Sequence, residues 1–304
     1  MKKVVDIIGR SKIWLTISGT LVALSLILLL IWGLNLGIDF TGGSLLEVSF
    51  MEQRPQMQEI SDAIKELNLG GEVTVQPTED TGFIIRFHSI EEGVHQQIVD
   101  KLKEKFDADG NNVRQERFES IGASIGQELK SKAFSAMILV LLAIVAYIAW
   151  AFRKVSYPVK SWKYGVVAIV TLFHDVIITV GIFVVLGKFL DVEVGLTFVA
   201  ALLTILGYSV NDTIVVFDRI RENISRLTGT NFPEIVNRSI NETISRSINT
   251  SFTTMLVLLA IFFFGGVTIK YFVLALICGI FFGTYSSIFV ASPLLVLWEK
   301  FSKK

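Results

Sequence analysis

The 304-residue chain has 28 basic and 28 acidic residues, so its formal net charge is zero and no overall basic field points to nucleic acid. With 52% hydrophobic residues and a mean hydropathy of +0.59, it is too apolar for a soluble domain, where roughly 45–50% is usual. Cys278 is the single cysteine, which excludes an internal disulfide and a cysteine-based metal cluster.

Six apolar runs predict membrane-spanning helices, each of which needs about 20 mostly apolar residues. The first run has a basic flank, but its apolar core is too long for a signal peptide and no cleavage pattern follows. We therefore expect a retained signal anchor. The predicted spans are 13–34, 133–152, 164–186, 194–217, 253–264 and 271–298. The fifth run is short and crosses a membrane only if residues 247–252 extend its helix.

Basic residues are concentrated in alternate connections between these spans, whereas the other connections carry essentially Lys188 and Lys270. Lys and Arg favour the cytoplasmic side, so the pattern predicts that both termini, 1–12 and 299–304, are cytoplasmic. It also predicts a cytoplasmic loop at about 218–246 and an extracytoplasmic segment at 35–132. The basic residues are Lys2, Lys3, Arg10 and Lys12, then Arg153, Lys154, Lys160 and Lys163, then Arg219, Arg221, Arg226 and Arg238, and finally Lys300, Lys303 and Lys304.

The segment 35–132 predicts a small α+β domain. Its order βαββαβ favours a ferredoxin-like sandwich. His88 and His95 lie in separate elements without nearby cysteines, and nothing arranges a nucleophile with a base. We therefore expect neither an enzyme nor a metal site. The predicted strands are 44–50, 72–76, 82–87 and 113–118, and the predicted amphipathic helices are 57–67 and 94–106.

Ionisable residues within the spans are the sharpest functional signal. A charge at a helix centre costs about 2.5–3.5 kcal/mol on insertion scales, so such groups usually face a bundle interior or water. His174 and Asp175 lie in the third span, Asp212 lies in the fourth, and Arg246 precedes the fifth. If the fifth helix begins before Arg246, that residue lies at a depth similar to Asp212. Weakening such a pair would let the carboxylate take a proton. Polar neighbours that could bridge helices or hold water are Asn211, Thr213, Ser251, Thr253 and Thr254.

Structural interpretations of the same residues stay open. Asp212 and Arg246 could form a static pair that only fixes helix packing, although the additional Asp175 counts against this. For His174 and Asp175 alone, function and local packing are equal alternatives. The small residues Gly279 and Gly283, at four-residue spacing, predict a close approach between helices.

Five segments, in order along nearly the whole chain, resemble the SecD/SecF family of the resistance-nodulation-division (RND) superfamily. Residues 37–43 (GIDFTGG) resemble the signature that opens its extracytoplasmic region, and residues 118–129 (FESIGASIGQEL) resemble the segment that leads into its second helix. The transmembrane motifs of the family are similar to His174-Asp175-Val176, to Arg246 with its Ser/Thr-rich sequel, and to residues 207–223 (GYSVNDTIVVFDRIREN), whose form resembles the SecF branch.

The resemblance implies a six-helix RND-like half in the bacterial cytoplasmic membrane, surrounded by lipid. Its implied partners are SecD, which supplies a second half, SecYEG, YajC and a translocating preprotein. The proton motive force, with no bound cofactor, would help pull preproteins outward. Asp212 and Arg246 would conduct protons with His174 and Asp175 in support, and we expect carboxylates of the partner to complete the path. A half-transporter exporting a lipid or small molecule and a scaffold with structural charges are the alternatives.

Overall fold

The computed structural model describes residues 5–51, 53–67, 73–78, 81–88, 92–107, 112–153, 159–227 and 229–302. Two compact units are present, and we call them the helical unit (Met1–Asn35 with Ser135–Lys304) and the sheet unit (Leu36–Phe134). The predictions that concern Lys2, Lys3, Glu72, Lys154, Lys303 and Lys304 lie outside the described residues.

The sheet unit contains both helices and strands, and the described elements outside it are all helices. In chain order they are α1 Ser11–Trp32, α2 Ile38–Thr41, β1 Gly43–Phe50, α3 Met57–Lys65, β2 Thr74–Pro77, β3 Gly82–Phe87, α4 Glu92–Phe106, β4 Val113–Ile121, α5 Ala123–Ala151, α6 Ser161–Leu190, α7 Leu196–Arg226, α8 Phe232–Phe264, α9 Val267–Ser286, a π-helical turn Ser287–Ala291 and α10 Ser292–Ser302.

Six helices in the described part of the chain are long and apolar enough to cross a membrane: α1, α5, α6, α7, α8 and the continuous run from α9 to α10. The predicted number of spans is therefore confirmed. The fifth, α8, has 33 residues and begins well before Arg246, so the polar stretch 247–252 does extend the short apolar run.

The connection at about 218–246 was predicted as a loop, but most of it is helical. Helix α7 continues to Arg226 and α8 already begins at Phe232, so only residues 227–231 lie between them. The extension follows from buried apolar residues that continue the helical spacing, such as Ile220 and Val236. Pro233, in the first turn of α8, favours the start of a helix there.

The sheet unit has the predicted βαββαβ order. Its four strands are arranged β2-β3-β1-β4, and every adjacent pair is antiparallel. Helices α3 and α4 contribute their apolar residues to one core with the strands, which confirms the ferredoxin-like sandwich. Several bounds differ from the predictions: β2 runs from Thr74 to Pro77, β4 continues to Ile121, and α3 ends at Lys65. The short helix α2 was not predicted. The core residues include Leu46, Val48, Ile60, Ile64, Ile85, Ile98 and Leu102.

In the helical unit, α6, α7 and the α9–α10 run form the interior, whereas α1, α5 and α8 present most of their surface outward. One end of the core contains a cluster of rings: Tyr164 stacks on Phe152 at 5.4 Å, and Phe217 meets the ring of Tyr164 edge-on at 5.2 Å. The inner position of α6 and α7 matters for function because these two helices carry the intramembrane carboxylates.

Candidate functional site

Asp175 lies at the centre of the helical unit and is completely buried. Its Oδ1 is 2.9 Å from Nδ1 of His174, the preceding residue of α6. Its Oδ2 accepts hydrogen bonds from the hydroxyls of Ser209 on α7 and, at 2.9 Å, of Ser286 on α9. The two hydroxyl donors offset part of the cost of burying this carboxyl group. Asp175 therefore joins three helices through one side chain.

Glycines on α9 make this convergence possible. A Cβ added at Gly283 would lie 2.9 Å from Cβ of Ser209, and one added at Gly279 would lie 2.2 Å from the side chain of Ile205. Helices α7 and α9 therefore approach each other more closely than side chains at these positions would allow. The predicted close approach at Gly279 and Gly283 is confirmed, and it brings Ser209 within reach of Asp175.

Asp212 forms a second cluster, on the same helix as Ser209. Its Oδ1 accepts a hydrogen bond of 2.6 Å from the hydroxyl of Ser247 on α8. Its Oδ2 accepts one from the hydroxyl of Ser287, the first residue of the π-helical turn. The fourth-span carboxylate is thus bound by neutral hydroxyl groups from two neighbouring elements.

Arg246 faces Asp212 across a small cavity. The cavity has a volume of about 60 Å³, and Tyr208, Asn211 and Thr250 line it together with these two residues. One water needs about 10–15 Å³ of such space, so a few waters fit. Both residues are described, and no direct ion pair joins them. The guanidinium acts on the carboxylate across the cavity, and a static ion pair is not what the geometry shows.

The polar residues predicted to support this site lie in different surroundings. Asn211 is exposed and lines the cavity, whereas Thr213 is buried and its hydroxyl has no hydrogen-bond partner. Ser251 does bridge helices: its hydroxyl bonds to that of Thr284 at 2.5 Å and accepts a hydrogen bond from Tyr208.

Thr253 and Thr254 form no hydrogen bond between helices in the described part of the chain, so of their two predicted roles, bridging helices or holding water, the first is not seen here. Their hydroxyls donate to backbone carbonyls one turn earlier on α8, including that of Thr250 at 2.9 and 3.0 Å. Threonine hydroxyls in helices commonly bond backward in this way, which leaves them no hydrogen for a neighbouring helix.

The serines that bind the two carboxylates from the last span were not predicted from the sequence. Ser286 and Ser287 are completely buried, and one donates to Asp175 while the other donates to Asp212. A signal was present, since consecutive hydroxyl residues interrupt an apolar run. The structure adds a feature that the sequence does not show. A π-helical turn begins at Ser287, and single π turns inside α-helices are frequent at functional sites.

The ring of His174 also lies next to apolar residues. Its ring lines a groove of about 460 Å³ with residues of α1, α6 and the segment after α9, such as Gly19, Phe173 and Val290. Its Nε2 is buried without a hydrogen-bond partner. In the part of the chain that the structure describes, no three His, Cys, Asp or Glu side chains gather into a possible metal site.

Comparison with known proteins shows which family this chain resembles. Residues 101–301 match the family model "Protein export membrane protein SecD/SecF, C-terminal", and residues 27–50 match "SecD/SecF GG Motif". A protein translocase subunit SecF from Thermobaculum terrenum is 42% identical over 97% of this chain and 94% of its own length. Another, from Anaerolinea thermophila, is 38% identical over the same shares.

A solved structure has the same fold. The crystal structure of SecDF from Thermus thermophilus, described as a translocon-associated membrane protein, superposes with a TM-score of 0.83 at 33% identity and covers 98% of this chain. The match takes up only 39% of the SecDF chain. The resemblance found in the sequence is confirmed, and so is the fold of six membrane helices with a small α+β unit.

Proposed function

This chain belongs to the SecD/SecF family of protein-export membrane proteins, and we propose that it couples the proton gradient to preprotein export. It is a multi-pass membrane protein and an auxiliary subunit of the bacterial Sec translocase, the role that its relatives' names state. No enzymatic step and no bound cofactor are needed in this proposal, because the gradient supplies the energy.

The observation that carries the proposal is the surroundings of Asp212. Hydroxyl groups can donate to a carboxylate and can also accept from a carboxylic acid, so Ser247 and Ser287 tolerate both protonation states. Arg246 favours the ionised form across the cavity but does not bind it directly. A carboxylate held in this way can gain and lose a proton without losing its hydrogen-bond partners.

The surroundings of the cavity suggest how the site is completed. Arg246 and Asn211 are exposed in this chain, and only a small share of α8 is buried. Because the chain matches 39% of SecDF, we propose that SecD supplies a second helical half that covers this face and adds further carboxylates. SecYEG, YajC and the preprotein are the further proposed partners.

The direction of transport follows from the proposed orientation. The basic residues of the alternate connections favour both termini in the cytoplasm, which leaves the sheet unit outside, in a position to meet the emerging preprotein. Protons would then enter the helical unit from the outside and leave toward the cytoplasm. Export of a lipid or small molecule has no specific observation in its favour, since the relatives are translocase subunits.

The variants Asp212→Asn and Arg246→Met test the proposal, together with SecD in inverted membrane vesicles under an imposed proton gradient. Both variants should still copurify with SecD and should lose the part of preprotein export that depends on the gradient. Matched controls are Asp218→Asn and Arg221→Met, because these two residues form an exposed ion pair farther along α7. Normal gradient-dependent export by either test variant would refute the proposal, and failure to assemble with SecD would favour the scaffold interpretation.

A further inference from the structure

Ser286 and Ser287 each have one hydroxyl hydrogen and two acceptors within reach. The hydroxyl of Ser286 is 2.9 Å from Oδ2 of Asp175 and 3.1 Å from the carbonyl oxygen of Gly283. The hydroxyl of Ser287 reaches Oδ2 of Asp212 and, at 3.0 Å, the carbonyl oxygen of Thr284. A hydroxyl donates one hydrogen at a time, so each serine must choose between a carboxylate and its own backbone.

The protonation state of the carboxyl group decides this choice. An ionised carboxylate only accepts, and it takes the serine hydrogen. When a proton arrives on that oxygen and the new O–H points to the serine oxygen, the serine hydrogen turns to the backbone carbonyl. Only one O–H bond is formed, on the carboxyl group, and the serine keeps its own hydrogen throughout. The hydroxyl orientation therefore reports the charge of its aspartate.

The two serines are neighbours at the junction where the regular helix α9 ends at Ser286 and the π-helical turn begins at Ser287. Ser287 begins the π-helical turn, where backbone hydrogen bonds skip one residue more than in an α-helix. The preceding turn is fixed, because Gly279 and Gly283 hold α9 tightly against α7. A change in hydrogen bonding at either serine is therefore taken up at this junction, because Ser286 is the last residue before the π turn and Ser287 is its first.

We propose that Ser286 and Ser287 are positioning residues that couple the protonation of Asp175 to that of Asp212. The proposal rests on the proton-driven function proposed above and adds a second carboxylate to it. The titratable groups around the first carboxylate are His174 on α6 and Tyr285, whose ring lies 6.2 Å from that of His174. Those around the second are Arg246 on α8 and Tyr208 on α7.

The coupling can be measured by infrared titration of the full-length chain in lipid vesicles without any gradient. The carboxyl band of Asp212 is assigned by its loss in Asp212→Asn. In the wild-type background, Asp175→Asn should move the titration midpoint of Asp212 by at least about 0.4 pH unit, the lower end for residues in one hydrogen-bond network. In the Ser286→Ala/Ser287→Ala background, this shift should fall to less than about half.

Two variants separate coupling from packing. Ser292→Ala also removes a buried hydroxyl just after the π turn, but that hydroxyl has no hydrogen-bond partner, so the shift should stay at its full size. Ser287→Thr, made alone with Ser286 unchanged, keeps a hydroxyl at position 287. The shift in this variant should therefore be as large as in the wild-type background. If the double variant does not fold, the single variants Ser286→Ala and Ser287→Ala each interrupt the same connection and should reduce the shift.

A full-size shift in the alanine backgrounds would overturn the proposal, because the carboxylates would then interact without the serines. Equal loss of the shift in Ser292→Ala would also overturn it, in favour of a general packing effect. The titration needs neither a gradient nor a translocon, so its failure is distinct from failure of the proposed function. Loss of export in Asp212→Asn with no coupling would leave the function standing and remove only the serine connection.

Discussion

Gly279 lies against Ile205 with no room for a side chain between them: a Cβ at Gly279 would be 2.2 Å from Cγ1 of Ile205. Ile205 is branched at its β-carbon and almost fully buried, so it cannot turn away freely. This contact sets the distance between α7 and α9, and with it the distance from Ser209 and Ser286 to Asp175.

Gly279→Ala should therefore destabilise the helical unit by about 1–3 kcal/mol, the usual cost of overpacking a close contact. Gly207→Ala is the matched control, because Gly207 lies on α7 with no atom within 4 Å of an added Cβ. The control should be unchanged or more stable by up to about 1 kcal/mol, the gain in helix propensity. Reversible unfolding in detergent measures both, and equal stabilities would show that α9 can move away without cost.

Asp175→Ala should lower the free energy of unfolding by about 1–3 kcal/mol, because it leaves the buried hydroxyl of Ser209 without its acceptor, whereas Ser286 can turn to the carbonyl of Gly283. Asp218→Ala on the exposed part of α7 removes only a surface ion pair with Arg221 and should cost no more than about 1 kcal/mol. The same unfolding measurement applies. Equal losses in the two variants would mean that the buried carboxylate contributes nothing to helix packing.

Asn237→Leu should release the segment that precedes α1. Oδ1 of Asn237 accepts hydrogen bonds from the backbone N–H groups of Ile7 and Ile8 at 2.9 and 3.2 Å, and a leucine side chain cannot replace them. We expect hydrogen exchange at these two amides to accelerate by roughly tenfold or more, since each 1.4 kcal/mol is a factor of ten and losing a buried partner costs about 1–3 kcal/mol.

Asn249→Leu, on an exposed position of the same helix, is the control and should leave exchange at Ile7 and Ile8 unchanged. Unchanged exchange in Asn237→Leu would mean that the burial of Ile7, rather than the amide of Asn237, holds the segment in place.

Gly42→Ala should destabilise the sheet unit by more than about 2 kcal/mol. Gly42 has a φ of 75°, where a residue with a Cβ pays about 1–2 kcal/mol, and its added Cβ would lie 2.7 Å from the backbone Cα of Ala123. Gly93→Ala adds a Cβ with no atom within 4 Å and should be nearly neutral. Thermal unfolding of the full chain compares them, and a neutral Gly42→Ala would remove this steric reason for the glycine in the GIDFTGG segment.

The sequence predicted the architecture well because architecture depends on length and period. A run of about 20 apolar residues predicts a helix that spans a membrane, and alternation of apolar and polar residues predicts a strand in segments such as 82–87. The same reasoning placed Asp175, Asp212 and Arg246 within the helical unit, because charged residues stand out in apolar runs.

The hydrogen-bond partner of each side chain could not be predicted in the same way, because it depends on how each helix is rotated about its axis. Ser286 and Ser287 are weak signals in hydropathy, and an α-helical period would not predict that neighbours in the chain bind carboxylates on different helices. Thr253 and Thr254 show the reverse case: they are conspicuous in the sequence, yet their hydroxyls bond to their own helix. Whether a hydroxyl bonds backward or across is decided by the distance to the next helix.

The π-helical turn Ser287–Ala291 also has a consequence for how the last span tolerates changes in length. A π turn accommodates one residue more than the regular α-helical hydrogen-bond pattern. Deleting a single residue there would let α9 continue into α10 as one uniform helix. Leu295 and Val296, which are buried in the core, would then still face inward. Deleting one residue in the regular part of α9 would instead rotate everything after it by about 100°, the angle per residue of an α-helix. The last span therefore tolerates the loss of one residue at the π turn and not in the helix before it.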